Sequence, residues 1–206
     1  CRWWRASSNR SRRATIPASL GRPNHERTDP RDPGRDPGRV TPGRRARRRL
    51  RGYRLDAKSA IYEAGPDKSL DLTDEVTLEA WVKADAMGAG GGRILDASKP
   101  GTSDGYLLDT YPGNSLRMIT LNGSVGHAAK LPGDRWTHVA GVYSASKKIQ
   151  KLYVDGKEVA SGGGVFPPLA KTSLPLRVGC DPEDGNRFLG RIQRAAVYRR
   201  ALAADE

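Results

Sequence analysis

The chain is poor in the residues that build metal centres, disulfide frameworks and nucleophilic sites. It has 206 residues, of which two are cysteine and three are histidine. Cys1 and Cys180 by themselves form no disulfide framework. No cluster of histidine, cysteine and carboxylate residues suggests a zinc site. Cys180 ends an apolar strand, where we expect a small buried hydrophobic side chain.

Long hydrophobic runs are also missing. No apolar stretch reaches the length of a signal peptide, and none approaches the roughly 20 residues of a transmembrane helix. We therefore predict no membrane span, and the chain by itself gives no sign of secretion.

Negative charge is scarce in the first quarter of the chain. Residues 1–54 hold 17 arginines, four acidic residues and no lysine, so the formal charge of +13 falls there and the remainder is neutral. We predict that residues 1–52 form a disordered basic tail rich in arginine, proline and glycine. This composition buries too little apolar surface to offset the entropy of ordering.

Other interpretations of this tail stay open. Arginine clusters bind nucleic acid without sequence preference, and Trp3 and Trp4 between arginines would suit a membrane surface. We favour a linker or a leader that is not native coding sequence, because the first residue is Cys1 rather than methionine. Nucleic acid is therefore not expected as a partner.

Residues 53–206 predict one all-β domain. About twelve short strands follow one another, each bounded by Gly, Pro, Asp or Asn. In residues 76–83 every second residue is apolar, which indicates a half-buried antiparallel strand. Trp81 falls on its polar side.

One hairpin is predicted from local sequence alone. Asp155-Gly156 favours a tight turn because both residues accept a positive φ, and it would join Lys151–Val154 to Lys157–Ser161. A helical turn is expected only at Ala201–Glu206.

Four phrases follow one another along the chain: LEAWVKAD (Leu78–Asp85), RWTHVAGVYS (Arg135–Ser144), KLYVDGKEVAS (Lys151–Ser161) and FLGRIQRAAVYRRALAADE (Phe188–Glu206). Their order resembles the laminin-G-like, concanavalin A-type jelly-roll family. The resemblance implies a two-sheet antiparallel jelly-roll sandwich whose closing strand returns beside the N-terminal one. It also implies an extracellular or secreted binding module of a larger protein. Where the family commonly has Asp in the closing strand, this chain has Gln193.

The same superfamily contains glucanases, so catalysis has to be considered. Glycoside hydrolysis needs two carboxyl groups that flank the scissile bond, and on a strand they would be two or four residues apart. Glu79 is taken to stand alone on its strand, and Asp155 and Glu158 straddle a turn. His138 is expected in the core or on a sheet face. We therefore expect no enzyme.

Calcium is one possible cofactor. The resemblance implies it, since laminin-G-like domains often hold one calcium ion, and calcium prefers loop oxygens. Asp181, Asp184 and Asn186 are the candidate ligands, with Asp104 and Asp109 at a second candidate site. The alternative, which we favour, is that these are ordinary turn residues.

A sugar site would combine aromatic faces with a few polar groups. Trp81, Tyr106, Tyr111 and Asn114 are the candidate ligand-binding residues. The alternative for Trp81 is that it packs beneath loops.

The sequence thus predicts a non-catalytic carbohydrate- or protein-binding module. Its partner would be a polysaccharide, a glycoprotein or a neighbouring domain of the same larger protein. The alternatives are a structural accessory domain that packs on a catalytic neighbour, and then a glucanase-type glycoside hydrolase.

Overall fold

Two antiparallel sheets make up the fold of the computed structural model. The structure describes residues 13–15, 53–55, 62–64, 68–85, 89–99, 104–121, 123–172 and 174–206. In that part of the chain the only helix is a 3₁₀ turn at Lys68–Leu70. The strands are β1 (Arg13–Thr15), β2 (Tyr53–Leu55), β3 (Tyr62–Ala64), β4 (Glu75–Ala84), β5 (Gly92–Asp96), β6 (Leu107–Thr110), β7 (Ser115–Thr120), β8 (Gly123–Lys130), β9 (Thr137–Ser144), β10 (Ile149–Val154), β11 (Lys157–Ser161), β12 (Leu176–Val178) and β13 (Gly190–Tyr198).

Each sheet takes strands from distant parts of the sequence. Sheet A has the order β1-β13-β4-β9-β10-β11, with β2 also paired to β13. Sheet B has the order β3-β12-β5-β6-β7-β8. The predicted all-β, two-sheet antiparallel sandwich is therefore confirmed.

Strand β4 shows why the sequence folds this way. Its alternate residues are apolar, and side chains on a strand point alternately to the two faces of a sheet. One face therefore lies entirely in the core, where each large aliphatic side chain contributes about 1.5–3 kcal/mol by leaving water. Its five core residues are each 0% exposed: Val76, Leu78, Ala80, Val82 and Ala84.

The two sheets pack face to face at close distance. A Cβ atom at Gly141 of β9 would lie 2.8 Å from Met118 Sδ of β7 and 3.2 Å from Leu108 Cδ1 of β6. Both of those side chains are fully buried. Glycine at this point of sheet A therefore makes room for the two larger side chains of sheet B.

The closing strand lies where the sequence predicted it. Strand β13 pairs with β2 on one side and with β4 on the other, so that Ile192 is opposite both Tyr53 and Val82. The register shifts between Gln193 and Ala196, as in a β-bulge. The closing strand thus joins the start of the domain to the centre of sheet A.

The predicted hairpin is confirmed, with β10 and β11 as its strands. Asp155 and Gly156 have φ of 49° and 78°. The Asp155 carboxylate also accepts hydrogen bonds from His138 N (3.0 Å) and Arg135 Nη1 (2.8 Å). The aspartate therefore provides both the turn geometry and a link to the start of β9.

The predictions for the two ends of the chain can be compared with the structure to different extents. Ala201–Glu206 contains one hydrogen-bonded turn, Glu206 N to Ala203 O at 3.2 Å, and no helix. Within the predicted tail the structure describes only Arg13–Thr15, which pairs with β13. The rest of residues 1–52, and with it the predicted disorder, lies outside the described residues.

None of the helices in the described ranges is long and apolar enough to cross a membrane.

Cys180 is fully buried and free, as the sequence predicted. Burial raises the pKa of its thiol.

Substituting Gly92→Ala should destabilise the fold. The added Cβ would lie 2.5 Å from Phe188 Cα and 2.9 Å from Arg187 O, and backbone atoms cannot rotate out of the way. We expect a loss of about 1–3 kcal/mol in the free energy of unfolding, measured with urea. Gly163→Ala is the control, because nothing lies within 4 Å of its Cβ position. Equal stability of the two variants would contradict the close approach of β5 to the segment before β13.

Candidate functional site

A group of partly exposed rings lies on the outer side of sheet A. It consists of Trp81 and Glu79 on β4, His138 on β9, Tyr153 on β10 and Tyr198 on β13. We call these five residues the aromatic face. Trp81 is directly opposite His138 in the register, and the core residues of β4 alternate with Glu79 and Trp81. The strand pleat therefore directs these side chains away from the core.

Glu79 holds the rings of two neighbouring strands. Its Oε1 accepts a hydrogen bond from the Tyr198 hydroxyl at 2.8 Å, and its Oε2 lies 3.3 Å from His138 Nε2. The His138 ring lies 5.4 Å from the Trp81 ring, centroid to centroid, at 51°. The side chains of His138 and Glu79 keep 24% and 18% of their exposure. The carboxylate thus fixes the rings in place and stays within reach of solvent.

The structure does not bring the four predicted ligand-binding residues together. Trp81 belongs to the aromatic face of sheet A, whereas Tyr111 follows β6 of sheet B and is 48% exposed. Tyr106 is 1% exposed, and its hydroxyl donates to Leu70 O at 3.3 Å. Burial raises the pKa of Tyr106. This corrects the predicted grouping, because an aromatic side chain within the core presents no face to a ligand.

Asn114 lies in the β6–β7 turn, three residues after Tyr111. It is 8% exposed, and its Nδ2 donates to Asp85 O at 3.1 Å. Its backbone carbonyl oxygen accepts a hydrogen bond from Leu131 N at 2.9 Å. These contacts tie the β6–β7 turn to the end of β4, so the geometry gives the residue a structural task.

A network of ion pairs crosses the outer side of sheet B. The carboxylate of Asp109 on β6 pairs with Arg93 on β5 and with Arg117 on β7. Arg117 makes two hydrogen bonds to it, at 3.0 and 2.7 Å, and its guanidinium lies 4.2 Å from the centre of the Tyr111 ring. The buried Asp109, one of the second pair of calcium candidates, is thus neutralised by arginines.

The loop after β12 contains the three main calcium candidates. Asp181 Oδ1 accepts hydrogen bonds from Glu183 N (3.0 Å) and Gly185 N (2.7 Å), and its Oδ2 accepts one from Asn186 Nδ2 (2.7 Å). Arg177 Nη1 donates to Asp184 Oδ1 at 2.6 Å. N–H groups and a guanidinium therefore surround the carboxylates where a cation would be.

This arrangement does not fit a calcium ion. Calcium needs six to eight oxygen ligands, and the candidate carboxylates already serve as acceptors for the loop itself. Among the described residues there is no group of three or more His, Cys, Asp or Glu side chains that could hold a metal ion. Calcium binding at Asp181, Asp184 and Asn186 stays a prediction and would require the loop to rearrange.

Comparison with known families agrees with the fold. A laminin-G-type model, described as the concanavalin A-like lectin/glucanases superfamily, matches residues 57–206. The chain belongs to this superfamily. No curated protein matches the chain in sequence.

Solved structures of similar fold include two sugar complexes. The CBM40 domain of the Ruminococcus gnavus IT-sialidase, bound to α2,3-sialyllactose, is 17% identical with a TM-score of 0.60, covering 75% of this chain and 91% of that one. Domain 4 of an extracellular arabinanase from Geobacillus stearothermophilus, in complex with arabinotriose, is 18% identical with a TM-score of 0.52, covering 75% and 82%. At these identities the similarity shows the fold.

The glucanases of this superfamily make the carboxylates of β4 worth comparing. Glu79 does not stand alone, which corrects the sequence interpretation, because Glu75 lies four residues earlier and faces the same side. Its oxygens accept hydrogen bonds from Ala201 N and Ser144 Oγ, both at 3.0 Å, and one lies 2.9 Å from Lys147 Nζ. Both carboxylates are therefore engaged by neighbouring groups.

One motif in the sequence, the Gly-x-Ser-x-Gly pattern, was overlooked. Residues 101–105 have the Gly-x-Ser-x-Gly spacing of a hydrolase nucleophile elbow. That elbow joins a strand to a helix, whereas this stretch connects strands β5 and β6. Residues 101–103 lie outside the described residues.

We expect calcium to leave the unfolding temperature of the full chain unchanged, compared with the same melt in a chelator. A ligand that binds only the native state raises this temperature, and the candidate carboxylates are already satisfied by the loop. A calcium-dependent rise that disappears in Asp181→Asn would contradict this and restore the metal site.

A second prediction concerns Asp96, which is 1% exposed. Burial raises its pKa from 3.8 to about 6, against hydrogen bonds from Ser98 and the charge of Arg93. Since the folded state holds the proton more tightly, this group adds stability at low pH that is lost as the pH rises through about 6. The size of the effect is about 3 kcal/mol at most.

Asp96→Asn removes this titration. The free energy of unfolding of the variant minus that of the wild type should therefore increase as the pH rises from 3.8 to above about 6. Urea unfolding at several pH values measures it. A difference that stays constant across this range would show that the buried carboxyl has an ordinary pKa.

Proposed function

We propose that this chain is a non-catalytic carbohydrate-binding module of a larger extracellular protein, and that its ligand lies on the aromatic face. The observation that carries the proposal is the set of partly exposed rings, on neighbouring strands of one sheet, around a fixed carboxylate. The similar folds bound to sialyllactose and arabinotriose, one from an extracellular enzyme, support the same class of ligand.

The chemistry of the aromatic face suits a sugar. The C–H side of a pyranose or furanose ring is apolar and packs on an aromatic ring, while its hydroxyls need polar partners. Trp81 supplies the largest ring, and the Glu79 carboxylate, held by Tyr198 and His138, is the polar group beside it. Trp81 and Glu79 lie on one strand, two residues apart, so a single sugar unit can contact both.

The contacts of the two strand carboxylates support binding rather than hydrolysis. A glycosidase needs one carboxyl group as an acid and the other as a base or nucleophile, on opposite sides of the scissile bond. Glu75 and Glu79 have the four-residue spacing that such a pair would have on one strand, but neighbouring protein groups hold each carboxylate. A polysaccharide or a glycoprotein would thus be bound and released unchanged.

A structural accessory domain would expose a continuous apolar patch of several hundred Å² to its neighbour. In the described part of the chain the exposed large hydrophobic side chains are Tyr111, Leu121 and Val165. The first of them already contacts Arg117. We therefore rank this alternative second.

Trp81→Ala should weaken glycan binding by about tenfold or more, because the stacking surface is lost. The full chain is first screened on a glycan array, and the best binder is then titrated by calorimetry. Tyr111→Ala is the matched control, since it removes an exposed ring from the other sheet and should bind as the wild type does.

The two variants separate the possible outcomes. Loss of binding in Tyr111→Ala with normal binding in Trp81→Ala would move the site to sheet B and refute the aromatic face. An absence of binding to every glycan would refute the carbohydrate proposal for the sugars on the array. Equal unfolding temperatures of the variants exclude misfolding as the cause.

A further inference from the structure

A polar cavity lies away from the aromatic face, among the connections between strands. Its volume is about 400 Å³, within the range of about 300–1,000 Å³ that small-ligand pockets occupy. Described residues from three connections line it: β5–β6, β11–β12 and β12–β13. Its principal lining residues are Lys99, Asp104, Lys171, Leu174, Pro182 and Glu183.

The charges of this cavity are mixed. Two lysines face it together with two carboxylates, so a small, highly charged anion such as phosphate would be attracted by one pair and repelled by the other. A ligand with one negative group and several hydroxyl donors satisfies both. Leu174 and Pro182 add an apolar wall against which the C–H side of a sugar ring can pack.

Asp104 has an unused acceptor. Its Oδ1 is shielded from solvent and has no hydrogen-bond partner, which is a costly state for a carboxylate oxygen. Rotation about the terminal bond of an aspartate costs little, so this oxygen can turn toward the cavity and accept a hydrogen bond from a hydroxyl donor there.

We propose that the cavity binds an acidic sugar, a uronic acid residue, as a second site independent of the aromatic face. The sugar carboxylate pairs with Lys171, and a ring hydroxyl donates to Asp104. None of the cavity residues belongs to the aromatic face, so either site can fail without the other.

Titration of the full chain with glucuronate, followed by calorimetry or NMR, tests the proposal. Glucuronate should bind saturably and glucose at least about tenfold more weakly, because only the acid forms the charge-assisted pair. Lys171→Met should weaken glucuronate binding by a similar factor, and Asp104→Asn should weaken it less. Trp81→Ala should bind glucuronate as the wild type does, which separates this site from the proposed function.

Several results would overturn the second site. These are the absence of saturable glucuronate binding, unchanged binding in Lys171→Met, or glucose binding as tightly as glucuronate. Competition by inorganic phosphate at the same concentration as glucuronate would reduce the site to a simple anion site and overturn the sugar. Lys171 is exposed, and an unchanged unfolding temperature confirms that its variant is folded.

Discussion

The pairing of β4 with β13 on one side and with β9 on the other is the constraint on which the rest of the structure depends. It places alternate residues of β4 in the core and the intervening ones on the outer side of sheet A. A slip of one residue would exchange these two sets. Ala84 would then leave the core and Trp81 would enter it. The register that seals the sandwich therefore also builds the aromatic face.

The carboxylates of this strand extend that constraint to the ends of the domain. Glu75 binds Ala201 N, and Thr77 accepts a hydrogen bond from Leu202 N at 3.0 Å, so the last residues cross the outer side of sheet A. Glu79 binds Tyr198, in the strand just before them. The hydrogen bonds that hold the C-terminal segment on sheet A therefore also position Tyr198, one ring of the aromatic face.

Local sequence predicted the features that depend on local physics. The alternation of residues 76–83 and the positive φ of Asp155 follow from side-chain periodicity and turn chemistry, and both are present. The grouping of Tyr106 with Tyr111 did not follow, because neighbours in sequence can point to opposite sides of a sheet. Nor could spacing distinguish a calcium loop from a turn, since Asp181 accepts N–H donors from residues that either kind of loop would contain.

The outer face of sheet A suits binding because its side chains are held before a ligand arrives. Ordering a flexible side chain on binding costs about 0.5–1.5 kcal/mol. In the aromatic face that ordering is already provided, since Tyr198 and His138 are bound to Glu79, and Trp81 packs against His138. The same bonds occupy the carboxylate that a hydrolase would need free for proton transfer. The rigidity of the rings and the engagement of this carboxylate therefore have one cause, which supports the proposed non-catalytic role.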